Sequence, residues 1–77
     1  MRLKYVTYVR GMYIFQILNT YADIIGALQY HDSSGLVTFN TPHYIRPPHM
    51  DFIINANLDK LKKQAEDIIT ENFLLGG

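Results

Sequence analysis

The chain has 77 residues, with 7 basic and 7 acidic side chains, a formal charge of zero and no cysteine. That length bounds it to one small domain (1–77) that buries only about 60% of the surface its unfolded form exposes, with no disulfide framework to compensate. The neutral balance argues against a dedicated nucleic-acid binder and a protein held on anionic lipid by charge; 18% charged residues, below the roughly 25% of an average domain, beside 48% hydrophobic ones point to a surface shared with a partner.

Met1-Arg2 leads into an alternating segment without a small-residue cleavage site, so no secretory leader is expected. Residues 11–31 hold a single charge, Asp23, but Gln16, Asn19, Thr20 and Gln29 break the run well short of a membrane span. The expected location is the cytoplasm, with no membrane partner.

Leu3, Tyr5, Thr7 and Val9 alternate with Arg2, Lys4, Tyr8 and Arg10, the period of a half-buried strand that Gly11 ends. From Met12 the spacing of Ile14, Phe15, Leu18, Tyr21, Ala22 and Ile25 predicts a helix, with Gln16, Asn19, Thr20 and Asp23 as its polar stripe. Tyr13, Ile17 and Ile24 widen the apolar arc beyond what one sheet needs, which suggests contact with another chain.

Ala27–Tyr30 reads as a short strand, His31–Gly35 as a tight connection and Leu36–Asn40 as the returning hairpin partner. Thr41–His49 contains Pro42, Pro47 and Pro48, each without a backbone donor, and is expected to be a loop or an edge. Met50–Ala56 is apolar and β-branched enough for a last strand. Asn57 then suits the N-cap of a helix whose buried stripe is Leu58, Leu61, Ala65, Ile68, Ile69 and Phe73. The expected fold is an α+β, ferredoxin-like two-layer sandwich of order β-α-β-β-(β)-α, its first two strands parallel and both helices on one sheet face.

Strand, Val9-Arg10-Gly11, helix, then Asp23-Ile24 and a hairpin resembles, over about residues 3–41, the ACT domain, a small regulatory module that binds amino acids at dimer interfaces. The resemblance implies a homodimer and a small anionic or amino-acid ligand whose carboxylate approaches backbone N–H groups near Gly11 and Met12. It differs in having Asp23 where that family usually has Asn, and in lacking a closing strand after the second helix. Such an open edge invites pairing with another chain.

The segment 41–49 carries further candidates. Arg46, between Ile45 and two prolines, is placed to present its guanidinium fork to an anion, and Tyr44 to cover a ligand. His31, His43 and His49 with Asp32 or Asp51 have metal-ligating chemistry but match no ligand spacing, so neither a metal nor a cofactor is expected. His49 and Asp51 lack an accompanying nucleophile or phosphate loop, so the protein is read as no enzyme. Tyr8 and Phe39 suit base stacking only weakly without a basic surface. The terminal Gly76-Gly77 matches the activated carboxylate of ubiquitin-like carriers, but it follows a helix and reads as a frayed end. These readings converge on a non-enzymatic regulatory or ligand-binding homodimer, with a ligand-free protein–protein adaptor as the alternative.

Overall fold

A computed structural model describes residues 1–41 and 50–74. Four strands, β1 (Arg2–Val9), β2 (Met12–Leu18), β3 (Ile24–His31) and β4 (Val37–Asn40), precede two helices, α1 (Met50–Ala56) and α2 (Leu58–Ile69). A π-helical turn, Thr70–Leu74, extends α2. The strands form one sheet of order β1-β2-β3-β4, every neighbouring pair antiparallel. The class is α+β as expected, and the order is β-β-β-β-α-α.

Two segments therefore correct the sequence reading. Met12–Leu18 is a strand, and the helix expected from Met12 to Ile25 is absent. An apolar run this continuous satisfies both periods, and its β-branched and aromatic residues favour the pleated form. Chain reversal decides between them. Arg10 and Gly11 both take positive φ, 52° and 79°, and Val9 pairs with Met12, so β1 and β2 are joined by a two-residue hairpin. Among the described residues no crossover joins the strands, and β1 lies antiparallel to β2 rather than parallel to the next strand. Arg-Gly is a weak signal for this turn because Arg carries the strain of the left-handed region.

The second correction is Met50–Ala56, a helix instead of a strand. Ile54 is fully buried, and Met50 and Leu58 pack against the core, so the stripe Met50, Ile54, Leu58, Leu61 runs at helical spacing through both helices. Asn57 stands at the N-cap of α2, yet its side chain makes no cap bond there. It donates instead from Nδ2 to the Ile53 carbonyl at 2.9 Å, serving the end of α1. The reading of α2 holds for Leu61, Ala65 and Ile69, which are buried, and for Leu58 and Ile68, which pack beside them; Phe73, expected in the same stripe, lies in the π-helical turn and is 45% exposed.

The β2–β3 connection is organised by one side chain. Asn19 Oδ1 accepts from the N–H groups of Tyr21 and Asp23 at 2.9 and 3.0 Å, and its backbone bonds Asp23 and Ala22. Asparagine mimics a turn in this way; Ala22 is left at φ 66°. The β3–β4 hairpin matches the expectation, with His31 and Leu36 closing it and Gly35 at φ 71°. Asp32 N–H also donates to the Gly11 carbonyl at 2.8 Å, tying the two turns at this end of the sheet.

The core lies between one sheet face and the helices: Leu3, Phe15, Ile17, Ile25 and Leu28 meet Ile54, Leu61, Ala65 and Ile69. Both helices, α1 and α2, cover that face; only α2 is one of the two helices expected there, since the other, from Met12, is a strand of the sheet itself. At its far end Phe73 packs on Tyr5 and Tyr13, with ring centroids 5.2 and 5.4 Å apart, and Tyr13 continues the aromatic contact to Tyr8 at 4.7 Å.

Candidate interaction surface

Strand alternation assigns the other sheet face. Since Phe15 and Ile17 enter the core, Met12, Ile14 and Gln16 turn away from the helices, and the pairing register extends their rows across the sheet. One row reads Lys4, Gln16, Ala27, Asn40; the next reads Thr7, Ile14, Gln29, Thr38; the third reads Val9, Met12, His31. A bulge between Tyr5 and Thr7 resets the alternation in β1, which brings Tyr8 to the helix side and Val9 to the open side.

Among the described residues this face holds no acidic side chain, and its charges, Arg2 and Lys4, sit at one corner. Its middle mixes aliphatic groups with neutral polar ones that bond each other: Thr38 Oγ1 donates to Gln29 Oε1 at 3.0 Å and Gln29 Nε2 to Asn40 Oδ1 at 3.3 Å. His31 Nε2 lies 3.3 Å from Thr38 Oγ1. Val9 is 43% exposed and Ile24 47%, while Met12, Ile14 and Ala27 are half-buried. Leu18, on the open side by alternation, is buried without joining the core cluster. The wide apolar arc read from the sequence thus divides between two faces of a strand: Tyr13, Phe15 and Ile17 go into the core, Met12 and Ile14 onto the open face.

The sheet edges are guarded. The Leu3 N–H on β1 donates to Gln64 Oε1 at 3.1 Å, and Gln64 Nε2 donates to the Met1 carbonyl at 3.2 Å, so α2 occupies backbone groups that an added strand would need. The bulge interrupts the rest of β1, and β4 has only four residues. Charge, bulges and shortness are the devices that discourage edge pairing.

Concavities flank the sheet on both sides. A depression of about 280 Å³ on the open side is lined by Gln16, Ile24, Gly26, Ala27, Asn40 and Thr41. Gly26 lets β4 approach, since a Cβ there would stand 2.8 Å from the Asn40 carbonyl oxygen. On the helix side, a cleft of about 310 Å³ lies among Tyr30, Asp32, Glu66, Ile69 and Thr70. Tyr30 donates its hydroxyl to Glu66 Oε2 at 3.1 Å and Tyr8 donates to Asp32 Oδ2 at 3.2 Å. Burial pushes both phenols above the usual tyrosine range, and the carboxylate each one bonds pushes further.

Of the residues singled out from the sequence, Gly11 occupies the β1–β2 turn, with open space where a Cβ would stand, and Met12 begins β2. No helix N-terminus follows them, so the backbone device expected to hold a carboxylate at this point is not formed. Tyr44, Arg46, His43, His49 and the terminal Gly-Gly lie outside the described residues, as does most of the proline segment. His31 bonds Thr38, and Asp51 Oδ1 accepts from Thr41 Oγ1 at 2.7 Å. Among the described residues no three His, Cys, Asp or Glu side chains gather as metal ligands, and no helix is long and apolar enough to cross a membrane. Tyr8 and Phe39, weighed as base-stacking residues, sit on the two outermost strands and face the helices.

The open face was missed in the sequence because it depends on Met12–Leu18 being a strand. The available signal was the near-continuous apolar run Met-Tyr-Ile-Phe, which in a sheet belongs to a strand covered on both sides. Comparison with family models, with curated protein sequences and with solved structures returned no match.

Proposed function

We propose that this chain is a non-enzymatic interaction module that works as a homodimer through its sheet. The observation that carries this reading is β2: it presents large apolar side chains to both faces, and the helices cover one. The uncharged middle of the open face supports it, because the cores of protein interfaces are depleted of charged residues. Zero net charge supports it further by removing the repulsion that keeps copies apart. Light scattering on the purified chain over a hundredfold range of concentration tests the reading. A mass twice that of one chain is expected, and a single-chain mass throughout would reject it.

A second reading, a small-ligand module of the ACT-like kind, draws on the depression beside Gly26. Its size and its two amide side chains, Gln16 and Asn40, suit a small polar molecule. A melting-temperature screen against free amino acids and other small anions is the test, because a ligand that binds only the folded form raises the midpoint by mass action.

A further inference from the structure

We propose that the second copy packs face to face on the open side of the sheet, with β1 lying over β4 of the partner subunit, to form an eight-stranded sandwich. This rests on the homodimer reading above and specifies its geometry. Edge pairing is the competing arrangement, and the chain obstructs it at both edges, through Gln64 and the bulge on β1 and through the four-residue length of β4.

The area is adequate. Strands of 8, 7, 8 and 4 residues, spaced about 4.8 Å apart and rising about 3.3 Å per residue, give a face of roughly 430 Å². Two such faces, with the relief of their side chains, remove about 1,300 Å² of accessible surface, within the roughly 1,200–2,000 Å² of specific complexes. Helices already fill the opposite face, so stacking sheets about 10 Å apart is the arrangement left for this one.

Charge selects the orientation. A two-fold axis across the strands would lay β1 antiparallel over its own copy and press Arg2 toward Val9 of the partner subunit, taking a guanidinium out of water onto an aliphatic side chain. A two-fold axis along the strands maps each row onto itself in reverse. Lys4 then meets Asn40 of the partner subunit, whose amide oxygen accepts, Gln16 meets the partner's Ala27, and Thr7 meets the partner's Thr38. Ile14 falls beside the partner's Gln29, near the axis.

Because the chain has no cysteine, single-cysteine variants report this geometry directly. Thr7→Cys and Thr38→Cys, mixed and treated with a bismaleimide of about 10 Å span, should give cross-linked dimer that is lost when either variant is treated alone. Ile14→Lys should reduce the mass to that of one chain while circular dichroism stays unchanged, and Val6→Lys, at the edge bulge, should leave the dimer intact. A dimer that survives Ile14→Lys and cross-links through Thr7 alone, or not at all, overturns the face-to-face arrangement and leaves the homodimer standing. A wild-type chain of single mass at every concentration overturns both. If Ile14→Lys fails to fold, the cross-linking pattern decides.

Discussion

The backbone N–H of Leu3 donates to the side-chain oxygen of Gln64 at 3.1 Å, joining residues 61 positions apart. One amide side chain thereby serves two backbone groups at the start of β1, since its nitrogen donates to the Met1 carbonyl. Gln64→Ala removes both bonds and should cost about 1 kcal/mol, within the range for partly exposed hydrogen bonds. Urea denaturation measures the loss, and faster exchange of the Leu3 amide would locate it. An unchanged Leu3 exchange rate would show that the bond does not protect the edge.

The β2–β3 loop offers paired tests of opposite sign. Asn19→Ala deletes the acceptor that organises the turn and should destabilise by about 1 kcal/mol. Ala22→Gly relieves a positive φ and should stabilise by about 0.5–1 kcal/mol, the strain removed exceeding the added freedom of the unfolded chain. Thermal melts of the two variants should move in opposite directions.

At Gly26 the constraint is space. A methyl group would press on the Asn40 carbonyl 2.8 Å away and on Thr41 Cγ2 at 3.2 Å. Gly26→Ala should push β4 outward and cost about 1–3 kcal/mol, the usual penalty of overpacking. Loss of amide protection confined to 37–40 would distinguish this from general unfolding.

Tyr30 supplies a pH dependence. Burial, then the hydrogen bond to Glu66, hold its phenol above the ordinary value of about 10, so the folded chain keeps this proton longer than the unfolded one. The contribution is fully present below pH about 10 and is lost as the pH rises through the folded value. Tyr30→Phe should flatten the alkaline fall in stability relative to wild type, as read by denaturant midpoints between pH 9 and 11. An identical fall in both proteins would assign it to other groups.

Legibility in the sequence followed the uniqueness of each pattern. The β1 segment and the hairpin closed by Gly35 were readable because alternation and turn chemistry agreed, and α2 was readable because its charged face left one helical stripe. Met12–Leu18 was not, since Ile14, Phe15 and Leu18 continue to Tyr21 at helical spacing while the unbroken apolar run suits a strand equally, and Tyr21 proves to stand in the β2–β3 turn. What decided it was the Arg10-Gly11 turn, whose left-handed Arg no composition rule favours. Met50–Ala56 failed in the opposite sense: Ile53 and Ile54 favour a strand locally, but Ile54 packs under the sheet in line with Leu58 and Leu61. The candidate surface inherited the first error, for a face cannot be recognised before its strand is.

A sheet ordered as the chain runs has a kinetic consequence. Every strand pairs with its neighbour in sequence, so β1 to β4 can zip up through three successive short closures, each with a small entropic cost. Packing the helices onto the sheet joins distant segments, Leu3 and Gln64 lying 61 positions apart, and folding speed falls as such separations grow. The sheet is therefore expected to assemble early with both faces wet, and the arrival of α2 at Leu3 sets which face becomes the inside of the molecule.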